Sequence, residues 1–387
     1  GIRNCLNYEY ELCRANTKMK KIKVMHFVSG LVSGGVEQML CNYCEELSNS
    51  ENYEFIVVYQ HEAVNSCKEK IEDAGCRVKR ITARSESFIK NIVESYLIIK
   101  EEKPDVVHAH MNLMNFCALY AAKCAGIKIR ISHSHIAEKN KNLGFKIMAL
   151  LCKKLCICSA TMLLACGKEA GEYLYGEKRM KSGRVKVVEN AIDIRKYSID
   201  REEKLRIRKN KDCNNEFIVG HVGRFSYQKN HERLVAIFYE LKKIKPNAKL
   251  LLIGTGELEN QVRQQVKRYG IEKSVIFAGT TKTMRDMYAL MDVFVLPSRY
   301  EGFPVVSVEI QAAQIPSLFS DTIAQTCRLT DYIDFYSLNE SDEKWAKKIL
   351  ECVEKERCSD LENLYSKYDI KEKAKSLDKI YKRSLDL

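Results

Sequence analysis

Apolar residues along this chain alternate between two patterns. Short runs rich in Val, Ile and Leu are bounded by Gly, Asn and charged residues, and between them apolar positions return every three or four residues. The first run, 23–29 (KVMHFVS), ends in glycine-rich sequence and reads as a parallel strand buried on both faces, with a loop after it. Further strands are predicted at 55–59, 78–81, 105–108, 128–132, 163–166 and 185–188, and helices at 36–47, 88–100 and 113–125. Pro104 stops the second of these helices and Gly126 closes the third. A charged, strand-poor stretch, 195–215, reads as a linker. The alternation then restarts, with strands at 217–221, 249–254, 275–277 and 293–296 and helices at 233–244, 257–269, 284–291 and 305–314. Strands alternating with helices build a parallel doubly wound sheet, so the fold class is α/β with two Rossmann-like domains, 21–195 and 196–365. A closing segment, 366–387, holds a basic helix at 371–385. Two such halves leave a cleft between them, a common place for ligands.

Composition narrows the class of partner. At 387 residues the chain exceeds what one core supports, and 45% hydrophobic with 30% charged residues excludes a disordered chain. The most apolar stretch, 145–166, is interrupted by Lys146, Lys153 and Lys154, so no run reaches transmembrane length. Residues 1–20 are polar and charged, lack a signal-peptide h-region and stand outside the fold pattern. Sixteen cysteines then fit reduced cytoplasmic thiols better than a disulfide framework. Cys152, Cys156, Cys158 and Cys166 match no zinc or iron–sulfur spacing and read as small core residues. The net charge of +13 is spread along the chain without a nucleic-acid-binding motif, which leaves anionic small molecules and an anionic membrane surface.

Candidate chemistry sits in loops after predicted strands. Glu301-Gly-Phe303-Pro304-Val305-Val306 leads into a helix carrying Glu309. Pro304 suits the first helical position, and the N–H groups of Val305 and Val306 would face outward at the positive end of the helix dipole, a ready anion site. Gly223-Arg224…Lys229 can set two cations on one diphosphate, against a bland reading as a solvated basic loop. Gly34-Gly35-Val36-Glu37 opens a helix and lets backbone approach a ligand, but it is not the dinucleotide fingerprint. Gly254-Thr-Gly256-Glu257 is a tight turn, weak by itself. His108 and His110 follow one strand, His133 and His135 the next, and read either as structural residues or as ligands of sugar hydroxyls. Zinc lacks a carboxylate partner there, and no Asp-x-Asp occurs anywhere, so the expectation is a site without metal.

Together these segments resemble the retaining glycosyltransferases of family 4, with the GT-B fold. The resemblance covers nearly the whole chain from about residue 23 and includes Asp105-Val-Val-His-Ala-His110, Asn190-Ala-Ile-Asp193 and the pair Glu301 and Glu309 with seven residues between them. The stretch 320–340, together with 161–175, is most similar to the branch that builds capsule and exopolysaccharide repeat units. The resemblance implies a nucleotide-diphosphate sugar, a UDP-sugar, as donor, and no cofactor or metal. Arg224 and Lys229 would hold the diphosphate, Glu309 the ribose, and Glu301 the donor sugar. His110 would lie near the transferred sugar. Gly34, Gly35, Gly223, Gly256, Glu257 and the backbone of 303–306 would line the nucleotide-sugar site, and His133 and His135 would face the acceptor. That acceptor would be a saccharide or a polyprenyl-diphosphate-linked saccharide. The closing helix would cross back to the first domain. Two positions depart from the pattern: Ala191 and Gln314 stand where glycine is common. The implied location is cytoplasmic, with segment 145–166 open to either a core helix with a solvated lysine face or contact with an anionic leaflet. A sugar-nucleotide epimerase and a non-catalytic nucleotide-sugar-binding protein are the rival readings.

Overall fold

The computed structural model describes residues 21–31, 35–62, 66–135, 143–281, 283–301, 303–358 and 360–385. Gly34, one of the expected ligand glycines, lies outside them. The chain divides into two compact units, 1–191 with 370–387, and 192–369.

In unit 1 the elements run β1 Ile22–Phe27, α1 Gly35–Ser48, β2 Tyr53–Tyr59, α2 Lys68–Asp73, β3 Cys76–Arg80, α3 Phe88–Glu102 and β4 Val106–Ala109. They continue as α4 Asn115–Cys124, β5 Ile129–Ser134, α5 Leu143–Ser159, β6 Met162–Ala165, α6 Lys168–Tyr175, α7 Glu177–Lys181 and β7 Val185–Val187. The sheet is parallel throughout, in the order β3-β2-β1-β4-β5-β6-β7. β1 reads IKVMHF without alternation because helices cover both faces of the sheet. Ser87 caps α3 by accepting the Lys90 N–H, and Lys103, in left-handed backbone, ends it.

Unit 2 repeats the plan: α8 Arg201–Asn210, β8 Phe217–Val222, α9 His231–Ile244, β9 Ala248–Ile253, α10 Glu259–Arg268, β10 Val275–Gly279, α11 Met284–Leu290 and β11 Val293–Leu296. After these come α12 Val306–Ala312, β12 Ser317–Ser320, β13 Ile333–Tyr336, α13 Asp342–Glu354 and α14 Glu362–Tyr368. Its sheet order is β10-β9-β8-β11-β12-β13, again all parallel. α15, Ile370–Ser384, belongs to unit 1, where Ile370, Ala374, Leu377, Ile380 and Tyr381 form one buried stripe against α1. Each large side chain so buried contributes about 1.5–3 kcal/mol.

Three expectations change in detail. The stretch 195–215 is not a bare linker but holds α8, whose start is set by Asp200 accepting the Glu203 N–H. The chain passes between units at Ala191/Ile192 and Asp369/Ile370, not at 195 and 366. At that point Ile192 bridges Asp369 in parallel, and Ile192 and Ile194 pack with Val308, Ala312 and Leu364. The helix after Pro304 spans only Val306–Ala312. It ends in a Schellman turn, with Gln314 N–H on the Gln311 carbonyl and Ile315 N–H on that of Ile310.

Gln314 therefore occupies the left-handed position that glycine normally takes, at φ +54°. Its side chain accepts from the Tyr332 hydroxyl at 3.2 Å. Gln314→Ala and Gln314→Gly both lose that bond, and only glycine relieves the backbone. Urea denaturation should find Gln314→Gly more stable than Gln314→Ala by about 1 kcal/mol; equal stability would mean that the position carries no left-handed strain.

Candidate functional site

In unit 2 the strand order reverses between β8 and β11. Chain leaves those two neighbouring strands on opposite sides of the sheet, and their carboxyl-end loops open the crevice where such sheets bind ligands. The loop after β8 carries Arg224 and Lys229, and the loop after β11 carries Glu301. Lys229 Nζ donates to Glu301 Oε1 at 2.5 Å, and Ser298 Oγ donates to the same oxygen at 3.0 Å. Arg224 Nε donates at 3.2 Å to Glu257, which comes from the loop after β9. One loop thus supplies two cations, each held by a carboxylate from a different neighbouring loop.

Backbone stitching makes this arrangement. Asn230, left-handed at φ +58°, donates from Nδ2 to the Pro297 carbonyl at 3.0 Å. Arg299 donates to Asn230 Oδ1 and to the Tyr227 carbonyl, and the Arg299 N–H bonds the Gln228 carbonyl at 2.8 Å. The loops after β8 and β9 lie flat on each other. A Cβ on Gly254 would stand 2.2 Å from the Gly223 carbonyl oxygen, and one on Gly256 would stand 2.5 Å from that of Phe225. No side chain fits at either position, which gives the Gly-Thr-Gly turn a packing reason.

Glu309 sits on α12, where the Tyr288 hydroxyl donates to its Oε2 at 2.5 Å. Phe303 stacks on Tyr368 with centroids 4.8 Å apart, and Pro304 is buried, so the approach to α12 is fixed by packing. Val305 precedes the helix with helical dihedrals, and Val308 N–H already bonds its carbonyl. Among the described residues the N–H groups of Val305 and Val306 are paired with no acceptor.

Unit 1 reverses between β1 and β4. Gly35 opens α1 there and is exposed, and burial pushes the Glu37 carboxyl up to about 7. The same strands and β5 carry five histidines. His26 Nδ1 lies 2.9 Å from His110 Nε2, and His110 Nδ1 lies 2.9 Å from His135 Nε2. His108 Nε2 lies 3.1 Å from His133 Nδ1, and His108 Nδ1 lies 2.9 Å from the Tyr381 hydroxyl of α15. A neutral imidazole has one N–H and one lone pair, so every ring in a line must point its donor the same way. Burial holds all five below the ordinary histidine range, His26 and His135 at about 3. His26, His108 and His110, and likewise His110, His133 and His135, bring one nitrogen each within 4.8 Å of one another. A metal would have to displace the bonds just described, and the rings stack (His108 on His110 and His133 on His135, both at 4.2 Å) instead of radiating from a centre.

Residues 33–196 match the family model described as Glycosyltransferase Family 4, and 202–372 match Glycosyl transferases group 1. Over 340 residues the chain is 30% identical to EpsF of Bacillus subtilis (strain 168), named as a glycosyltransferase, across 84% of this chain and 86% of EpsF. The chain is a family 4 glycosyltransferase. The glycosyltransferase is also 24% identical, over 264 residues, to the UDP-Gal:alpha-D-GlcNAc-diphosphoundecaprenol alpha-1,3-galactosyltransferase of Escherichia coli, across 66% of this chain and 67% of that one. Among solved structures, Anabaena HepE in complex with UDP-glucose aligns with a TM-score of 0.73 at 17% identity, over 93% of this chain and 99% of that chain, and this identifies the fold as GT-B.

The glycosyltransferase brings Arg224, Lys229, Glu257 and Glu301 together around Gly223 and Gly256, and sets Glu309 on the neighbouring helix. His110 stands differently from expectation. It is 4% exposed, and both of its ring nitrogens are taken by other histidines, so reaching a sugar would require breaking one of those bonds. His133 is fully buried as well, and only His135 reaches toward the surface. Asn230, Arg299, Ser298 and Tyr288 organise the site without having been singled out from sequence. Asn230 follows Lys229 directly and Arg299 lies two residues before Glu301, but nothing in their spacing reveals that they meet. All fourteen cysteines among the described residues are free; Cys152 and Cys156 are buried core residues as expected, whereas Cys166 is half-buried and Cys158 is exposed, so the core reading does not extend to Cys158.

The buried histidines make the glycosyltransferase acid-sensitive. Burial also lowers His221 to about 4 and His231 to about 2. Each unfolds to an ordinary pKa near 6.5, so the unfolded chain binds more protons below that value. Their contribution to stability is complete above pH 6.5 and is lost as the pH falls toward the folded values, by up to about 1.4 kcal/mol per pH unit for each histidine. Unit 1 holds five of these groups and unit 2 holds two. Trp345, the single tryptophan, is buried in unit 2. On acidification below pH 6, far-UV circular dichroism should fall before Trp345 fluorescence shifts; simultaneous loss would show that histidine protonation in unit 1 does not lead.

Proposed function

We propose that this enzyme transfers a sugar from a nucleotide-diphosphate sugar, a UDP-sugar, to a hydroxyl of a saccharide carried on polyprenyl diphosphate, with retained anomeric configuration and without a metal, in cell-surface polysaccharide synthesis. The observation that carries this is the pair of cation–carboxylate contacts, Arg224–Glu257 and Lys229–Glu301, at the switch point of unit 2. Breaking a glycosyl–phosphate bond builds negative charge on the departing diphosphate. Lys229 and the start of α12 are fixed before the reaction begins, with Arg224 exposed on the same loop as Lys229, and preorganised donors of this kind stabilise charge without reorganising. Glu301, fixed at Oε1 by Lys229 and Ser298, would accept hydroxyls of the donor sugar, and Glu309, oriented by Tyr288, would accept the ribose hydroxyls. No protein nucleophile is invoked: the departing phosphate oxygen takes the acceptor proton on the face it leaves. The lipid-linked acceptor draws support from the name of the Escherichia coli relative.

Neither carboxylate is then a catalytic base, and mutation separates the roles. Lys229→Ala should lower kcat by about a hundredfold or more, whereas Glu309→Gln should mainly raise the KM for the nucleotide sugar. A panel of nucleotide sugars, screened by thermal shift and then assayed for UDP release, tests the reaction itself. Release that requires acceptor supports transfer, release without any acceptor points to hydrolysis or epimerisation, and full turnover by Lys229→Ala removes the leaving-group role.

A further inference from the structure

Helices α3 and α5 carry apolar residues on their outer faces as well as on the faces turned to the core. On α3 the fully buried positions are Asn91, Ser95 and Ile99, with Asn91 Nδ2 donating to the Thr82 carbonyl and Ser95 Oγ to that of Asn91, and Ile92, Tyr96 and Ile98 pack half-buried beside them. The outward row is Ile89, Val93 and Leu97, and Ile89 is 77% exposed. On α5 the fully buried positions are Ala149, Cys152, Cys156 and Ser159, with Phe145 and Ile157 half-buried beside them. Its outward side carries Leu143, Ile147, Leu150 and Leu151, exposed by 74%, 62%, 67% and 60%. α4 packs between the two and adds the exposed Tyr120. Scattered apolar side chains on a surface are ordinary, but rows on adjacent helices mark an interaction face.

Charge identifies the occupant. α5 contains Lys146, Lys153 and Lys154 and no acidic residue. Lys146 and Lys154 are exposed, while Lys153 lies over the Tyr173 ring. The acids of α3 are already engaged: Glu94 by the Thr82 N–H, the Thr82 hydroxyl and Lys90, and Glu101 and Glu102 by Lys79, with Arg77 also on Glu102. What faces outward is therefore apolar with a positive margin. No described helix is long and apolar enough to cross a bilayer.

We propose that the outer face of α3, α4 and α5 seats the enzyme on an anionic phospholipid surface, with Ile89, Leu97, Ile147, Leu150 and Leu151 entering the headgroup–acyl boundary and Lys146 and Lys154 meeting lipid phosphates. This rests on the reading that the acceptor is lipid-linked, since docking brings such an acceptor within reach. It adds α3 and α4 to the segment that sequence alone singles out.

Vesicle flotation of the full chain tests it, with phosphatidylcholine alone and phosphatidylcholine mixed with phosphatidylglycerol. Wild type should float with the anionic vesicles. Ile147→Ser/Leu150→Ser/Leu151→Ser, and separately Ile89→Ser/Leu97→Ser, should each weaken binding about tenfold or more. Lys146→Glu/Lys154→Glu should weaken it about tenfold on anionic vesicles only. All three variants should keep the wild-type thermal midpoint and wild-type turnover on a water-soluble acceptor. That turnover reports the transferase reading independently, so either proposal can fail alone. Wild type remaining unbound, or variants that float like wild type, would overturn the docking surface. So would a serine variant that abolishes self-association in sedimentation without altering flotation, which would assign the face to a second copy of the chain.

Discussion

The candidate site depends on one constraint: the loop after β8 has to be sewn to the loop after β11. Asn230 accomplishes this by adopting left-handed backbone, which aims its amide at the Pro297 carbonyl and lets Arg299 reach back across. With those bonds in place Lys229 meets Glu301; without them two flexible side chains on separate loops would have to find each other in water, where an ion pair is worth little. The flat contact of Gly254 and Gly256 on the same loop from the other side completes the clamp. A loop fixed on both flanks holds Lys229 in one geometry and presents Arg224 from the same backbone, and a charge-stabilising site gains most from that rigidity.

Unit 1 solves a different problem with its polar interior. Five histidines buried at strand ends would be costly as cations and nearly as costly with orphaned nitrogens. Most of the nitrogens in these two rows of neutral rings meet a neighbour, His133 Nε2 being a buried exception, and Tyr381 on α15 terminates one line. The last helix therefore completes a hydrogen-bonded interior as well as an apolar one. Order here comes from donor direction: each neutral ring passes one N–H to the next, so the tautomer of one residue is set by its neighbour.

The parallel sheets were legible because strands buried on both faces carry continuous apolar runs, and β1, β2, β9 and β11 stand out for that reason. β12 and β13 did not, since SLFS and IDFY are too short and too mixed to separate from loop. α8 was hidden because its face is almost wholly charged and only the Asp200 cap announces it. In the site, residue types that could bind a diphosphate sugar were readable from glycine, cation and carboxylate spacing within single loops. Their partners were not, because Lys229–Glu301, Arg224–Glu257 and Tyr288–Glu309 each join segments far apart in sequence. His110 shows the limit most sharply: a histidine at a strand end suggests a ligand, and only the positions of His26 and His135 reveal that both its nitrogens are spent inside the fold.

The apolar outer faces of α3 and α5 follow from the same reasoning applied to surfaces. Periodicity says which residues share a face of α3 or α5, but not which face points inward. For most helices burial decides in favour of the apolar side. Here the inward face mixes small polar or thiol residues with aliphatics such as Ile99; Asn91 and Ser95 find local carbonyls to bond, and a second row of branched aliphatics faces out. That choice forgoes core burial of about 1.5–3 kcal/mol for each large side chain left outside. A fold that leaves so many of them on one face, beside lysines and with its acids already engaged, is arranged for a second apolar medium, and a phospholipid surface supplies both the medium and the opposite charge.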